Sequence, residues 1–129
     1  MPGSWKSLKN KPAFDIDAML LLTDGSIMCH EYQTVKWHKL VPDDESDYAN
    51  GTWHPISPMP SNAPLGQGGP SNAPLYFASA VLRDGTVFCA GGEYNASAQV
   101  DMLTAELYDH VTEMGRKLPH SISAFHVYG

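Results

Sequence analysis

Basic charge is scarce in this chain. Eight lysines and arginines stand against fourteen acids, a formal net charge of −6. No basic stripe runs along the sequence, so a nucleic-acid backbone would be repelled rather than gathered. Cysteine is scarcer still: two, Cys29 and Cys89, are too few for a disulfide scaffold in 129 residues. No apolar run approaches the roughly 18 residues of a spanning helix, so no membrane partner is expected. The start, Met1-Pro2-Gly3-Ser4-Trp5-Lys6, lacks the apolar stretch of a signal peptide. A cytoplasmic location is the expectation, with secretion left open.

Catalytic and metal signatures are equally sparse. Neither Gly-x-Ser-x-Gly nor Gly-x-x-x-x-Gly-Lys occurs. No two of the six histidines are spaced i, i+4, and no Cys-x-x-Cys exists, so nothing points to zinc. The acidic knot Asp43, Asp44, Glu45 and Asp47 lacks the spacing of a calcium loop. No catalytic residue, metal ligand or cofactor is assigned.

A repeat is present. Residues 20–29 read Leu-Leu-Leu-Thr-Asp-Gly-Ser-Ile-Met-Cys, and residues 80–89 read Ala-Val-Leu-Arg-Asp-Gly-Thr-Val-Phe-Cys, an offset of 60 throughout. Asp-Gly between short apolar runs is a strong hairpin signal, and it predicts a type I′ turn. Each copy therefore opens with a hairpin, 17–22 with 26–31 and 77–82 with 86–91. The runs are almost continuously apolar, as in strands buried on both faces. A third strand is expected at Val35–Val41 and at Leu103–Tyr108, and a fourth at Gly51–Ile56 and at Thr112–Leu118. Pro58 and Pro119 follow the fourth strands, where a missing donor ends a ladder. Gly3-Ser4-Trp5-Lys6-Ser7-Leu8 matches Gly51-Thr52-Trp53-His54-Pro55-Ile56 and reads as an orphan fourth strand.

The residues carry a family resemblance. An Asp-Gly hairpin leads to Gly91-Gly92, an aromatic follows in the third strand (Tyr108), and Trp stands in the fourth (Trp5, Trp53). This resembles the kelch repeat of bacterial kelch proteins and of the galactose-oxidase propeller. The resemblance covers residues 3–118. The first copy departs from it, with Cys29-His30-Glu31 in place of Gly-Gly, and the second has Met114 in place of Trp. It implies an all-β partial β-propeller: two tandem four-stranded antiparallel kelch-like blades plus an N-terminal orphan strand. The divisions are an orphan outer strand at 1–12, a first blade at 13–59, a Pro/Gly-rich linker at 60–76, a second blade at 77–119 and a tail at 120–129. It also makes Trp5, Trp37, Trp53 and Tyr108 core residues, while Gly91 and Gly92 let a strand run close to the neighbouring blade.

A repeat unit cannot bury its faces alone. Chains assembling into a ring, two sheets packing on each other, or an excerpt from a longer protein would each answer this. The expectation is a homo-oligomer whose N-terminal strand completes a neighbour's blade.

In such blades the loops joining second to third strands share one end with the linker. That end gathers 58–76 and 92–103. The linker repeats itself: Pro60-Ser61-Asn62-Ala63-Pro64-Leu65 recurs as Pro70-Ser71-Asn72-Ala73-Pro74-Leu75. It reads as a tolerated surface insertion, or as an arm reaching a partner. His30, Glu31 and Tyr32 fall at this end in the first copy and Glu93, Tyr94 and Asn95 in the second. They read as solvated turn residues or as a polar ring for a small ligand such as a sugar. The functional expectation is a non-catalytic kelch-like binding or assembly module for a protein or sugar ligand. A carbohydrate-binding or galactose-oxidase-like propeller is the alternative. Copper held by Tyr and His would be the enzymatic form, but no Tyr here is directly followed by His.

Overall fold

The computed structural model describes residues 3–59 and 72–118. The chain is all-β. Its elements are β1 (Ile16–Leu21), β2 (Ile27–Glu31), β3 (Trp37–Val41), β4 (Thr52–Ile56), β5 (Pro74–Leu75), β6 (Ala78–Val81), β7 (Val87–Ala90), β8 (Tyr94–Asn95), β9 (Ala98–Gln99), β10 (Ala105–Asp109) and β11 (Met114–Lys117). A 3₁₀ turn, Tyr48–Asn50, is capped by the Asp47 side chain, which accepts from the Ala49 amide.

Two open antiparallel sheets of four strands result. One has the order β1-β2-β3-β4 and the other β11-β10-β7-β6. Their members sit at equivalent places in the two sequence repeats, and the first strands, β1 and β6, approach each other. A third, small sheet, β5-β8-β9, joins the end of the linker to the 92–103 segment. It is not legible in the sequence, because two-residue strands show no periodicity.

The hairpin turns form where Asp-Gly predicts, but not in the type expected. Leu22 accepts from the Gly25 amide at 3.0 Å and donates to the Ser26 carbonyl at 2.8 Å. Leu82, Gly85 and Thr86 repeat the pattern at 2.9 and 2.7 Å. Gly25 and Gly85 have φ of +83° and +88°, whereas neither aspartate has positive φ. These are three-residue loops, a type I turn followed by a left-handed glycine. The aspartates decide the matter. Asp24 Oδ1 accepts from the Ser26 amide and hydroxyl, and Asp84 Oδ1 from those of Thr86. This side-chain cap holds the aspartate in a right-handed turn.

The sheets pack face to face. Strand alternation turns Met28 and Trp37 of the first sheet toward Val87, Cys89 and Tyr108 of the second, with Leu22 and Met59 completing the cluster. Of the expected core aromatics, Trp37 and Tyr108 are buried here. Rings of this size remove about 150–250 Å² each from water. Lys39 Nζ to Glu113 Oε1 at 3.2 Å and Thr23 Oγ1 to His110 Nε2 at 2.8 Å tie the sheets together at the rim.

The opposite faces are only partly covered. Phe14 lies edge-on to Trp53 and stacks on His38, and Trp53 Nε1 donates to the Asn10 carbonyl. Trp53 is therefore half-buried. Met19 and Leu21 in the first sheet, and Met114 in the second, stay exposed, as does Leu82 just past β6.

The expected orphan strand is not formed within the chain. Residues 3–8 have no strand and Trp5 is fully exposed, which corrects its placement in the core. A ladder needs a neighbour, and both four-stranded sheets already hold their fourth strand. The two glycines also act differently from expectation. Gly91 has φ +73°, and a Cβ there would meet only the Met102 carbonyl at 3.9 Å. A Cβ on Gly92 would sit 2.7 Å from the Leu75 carbonyl oxygen. The close approach is thus to β5 at the end of the linker, and it involves one glycine rather than both. The first linker copy (60–65) and the tail (120–129) lie outside the described residues.

Candidate functional site

The end of β2 carries the first group of candidate residues. His30 is completely buried. Its Nε2 donates to the Thr34 carbonyl at 2.8 Å, and Nδ1 lies 3.1 Å from Asp17 Oδ2. The rings of Trp37 and Phe77 flank it at 4.9 and 5.2 Å. This imidazole is an internal brace between β1, β2 and the following turn. Glu31 is engaged as well: His38 Nε2 donates to it at 2.7 Å and Lys36 Nζ lies 3.6 Å away. The hydrogen bond from His38 holds its carboxyl below the ordinary carboxylate value. Tyr32 alone of the three projects outward.

The second group divides the same way. Asn95 is buried, and its Oδ1 accepts from the Ala73 amide at 2.9 Å. Glu93 is exposed, while its backbone amide donates to the Leu75 carbonyl at 3.0 Å. Tyr94 lies at the surface edge, half-buried.

Tyr32 and Tyr94 are brought together by a residue the sequence did not single out. Tyr76 is exposed and shares a hydrogen bond with Tyr32. Its ring meets that of Tyr94 edge-on, with centroids 5.8 Å apart at 83°. The Tyr32 bond is the main cause raising the Tyr76 phenol above its ordinary value, and the nearby Asp17 carboxylate adds to it. Tyr76 has φ +58°, uncommon for a bulky residue. Three tyrosines from β2's exit turn, the linker and β8 thus form one surface patch above the His30–Asp17 brace.

Below the patch lies a buried polar cluster. Asn72 is fully buried. Its Nδ2 donates to Glu106 Oε1, and its Oδ1 accepts from the Thr104 hydroxyl at 3.2 Å. These residues carry no motif. The only available sequence signal was that Asn72 lies in the duplicated segment.

Other places for chemistry are limited. The crevice between the sheets, lined by Trp37, Met59, Cys89 and Tyr108 among others, has about 20 Å³ of open volume. That is room for a water or two rather than a sugar. Burial pushes the Cys29 thiol up to about 11 and the Cys89 thiol to about 12, so neither is a ready nucleophile. Among the described residues no three His, Cys, Asp or Glu side chains group so as to hold a metal ion.

No family model and no curated protein matches the chain.

Proposed function

We propose that this chain is a non-catalytic, kelch-like module that works by binding and assembly. Its two sheets would be neighbouring blades, and further copies would cover the faces they leave bare. The observation that carries this reading is the distribution of exposed apolar side chains. Each sheet turns one face to the shared core, while Met19, Leu21, Leu82 and Met114 remain in water, and Trp5 is fully exposed. Faces of this kind mark association surfaces. Both large sheets are already four-stranded, so a neighbour's N-terminal segment would have to add to one of them as a fifth strand. Stacking of faces is the form of association we favour.

Light scattering coupled to gel filtration tests this directly. The expected result is a multimer that Leu21→Lys together with Met114→Lys reduces to single chains. A monodisperse 14.1 kDa species for the unaltered protein overturns the reading.

The tyrosine patch favours a second reading, a carbohydrate-binding surface. Its rings offer apolar faces, and the hydroxyls with Asp17 offer hydrogen-bonding groups. A glycan screen should then give hits that Tyr76→Ala abolishes. Hits retained by that variant would exclude the patch.

A further inference from the structure

The segment that completes the small sheet is one half of an unchanged duplication. Pro60-Ser61-Asn62-Ala63-Pro64-Leu65 and Pro70-Ser71-Asn72-Ala73-Pro74-Leu75 are identical, ten positions apart. The described residues contain a well-built seat for the second copy. Glu106 and Thr104 bond the Asn72 amide on both sides. The Ala73 amide donates to Asn95 Oδ1 at 2.9 Å, and its carbonyl accepts from the Ala96 amide at 2.8 Å. Pro74 and Leu75 pair with Asn95 and Tyr94 as an antiparallel strand. Leu75 is almost fully buried, its carbonyl accepts from Glu93, and Gly92 makes way for it. The seat reads an amide, a small residue, an imino acid and a branched apolar residue in sequence.

We infer that this cleft is a recognition site for an extended Asn-Ala-Pro-Leu segment. The chain carries two interchangeable occupants for it, giving the linker two registers ten residues apart. Every residue the seat touches from 72 to 75 has an identical counterpart from 62 to 65, so its contacts cannot discriminate between them. Only the tethers differ.

The slip requires only that the short tether reach the seat. In the alternative register three residue steps join Met59 to Asn62, a reach of about 10–11 Å. Met59 and Glu106 line one crevice, and Asn72 bonds Glu106. Beyond Leu65 the surplus residues form a loop back to β6, and closure cost changes slowly with loop length. At the next position a local effect favours the slip. Tyr76 occupies a left-handed conformation at φ +58°, where Gly66 would stand in the other register without steric cost. Opposing this, the observed register keeps Tyr76 against Tyr94 and Tyr32. A slip therefore withdraws Tyr76 from the surface patch while preserving the small sheet. The duplication becomes a switch for that surface.

The test compares Asn62→Ala, Asn72→Ala and the double variant by urea denaturation and by hydrogen exchange read by mass spectrometry. Asn62→Ala should leave the midpoint unchanged. Asn72→Ala should lower it by less than half the shift of the double variant, because Asn62 takes the vacated place. Exchange protection in Asn72→Ala should then appear at 62–65. A single variant as damaged as the double, including one that does not fold, overturns the inference, as does protection that never appears at 62–65. Deleting residues 60–69 forces the short tether and should shift the thermal midpoint by no more than a few degrees. Loss of the folded state on deletion would show the tether too short and overturn the inference on independent grounds.

Discussion

Replacing Gly91 and Gly92 separately by alanine distinguishes two reasons for a glycine. At Gly91 the backbone has φ +73°, and an added Cβ approaches only the Met102 carbonyl, at 3.9 Å. The cost is that of a left-handed alanine, about 1–2 kcal/mol. At Gly92 φ is +129°, and the Cβ would lie 2.7 Å from the Leu75 oxygen and 3.2 Å from Pro74 Cβ. The unfavourable dihedral costs on the order of 1–3 kcal/mol. The contact is with backbone, so β5 must move away. Its movement weakens the hydrogen bonds from Glu93 to Leu75 and from Ala96 to Ala73, each worth about 0.5–1.5 kcal/mol net. Together these give about 2–6 kcal/mol for Gly92→Ala, a range whose middle is more than twice the middle of that for Gly91→Ala. Urea titration followed by the fluorescence of buried Trp37 measures both. Hydrogen exchange should localise the Gly92→Ala damage to 72–76 and 93–99. Equal losses, or damage centred on β10, would refute the argument that β5 packs on Gly92.

Two further outcomes follow from single side chains. The Tyr108 hydroxyl is buried with no hydrogen-bond partner among the described residues, and burial pushes its phenol up to about 12. Tyr108→Phe should leave stability unchanged or raise it by up to about 1 kcal/mol, since it removes a desolvated group that gains nothing; a clear loss in urea titration would mean the hydroxyl is bonded. Glu31 has a folded-state value depressed below 4.5, first by the hydrogen bond from His38. A depressed carboxyl stabilises fully above its unfolded value and loses that contribution as pH falls through the folded one. Glu31→Gln should therefore flatten the decline of the urea midpoint between about pH 5 and pH 3, and an unchanged slope would mean the carboxylate is not held by His38.

The large sheets were legible because their signals are local. Asp-Gly set both hairpins, and the repeat offset aligned β1 and β2 with β6 and β7. Even so, the turn type was missed, because the rule weighs Gly25 and Gly85 but not the hydrogen bonds of Asp24 and Asp84 to the residues two positions on. The kelch resemblance made Trp37 and Tyr108 core residues, and both are buried. Trp5 is not, since its strand would require a ladder that this chain does not offer. The candidate residues were found at the correct end of the sheets, but their exposure was not. His30 and Asn95 are buried braces, and periodicity cannot tell a polar brace from a polar ligand. Tyr76 was overlooked because it closes a Pro/Gly-rich segment, and its contacts with Tyr32 and Tyr94 are 44 and 18 positions away in the chain.

The rims of the large sheets have a consequence for how crowded solutions of this protein behave. Pro55 removes a donor from β4, the register of β1 is interrupted between Ile16 and Met19, β6 is only four residues long, and β11 carries Arg116. Each feature discourages templated growth by added strands. Oily flanks on a molecule with guarded borders favour association that saturates over polymerisation without end. A concentrated sample should accordingly reach a finite particle size and yield little thioflavin-positive fibre.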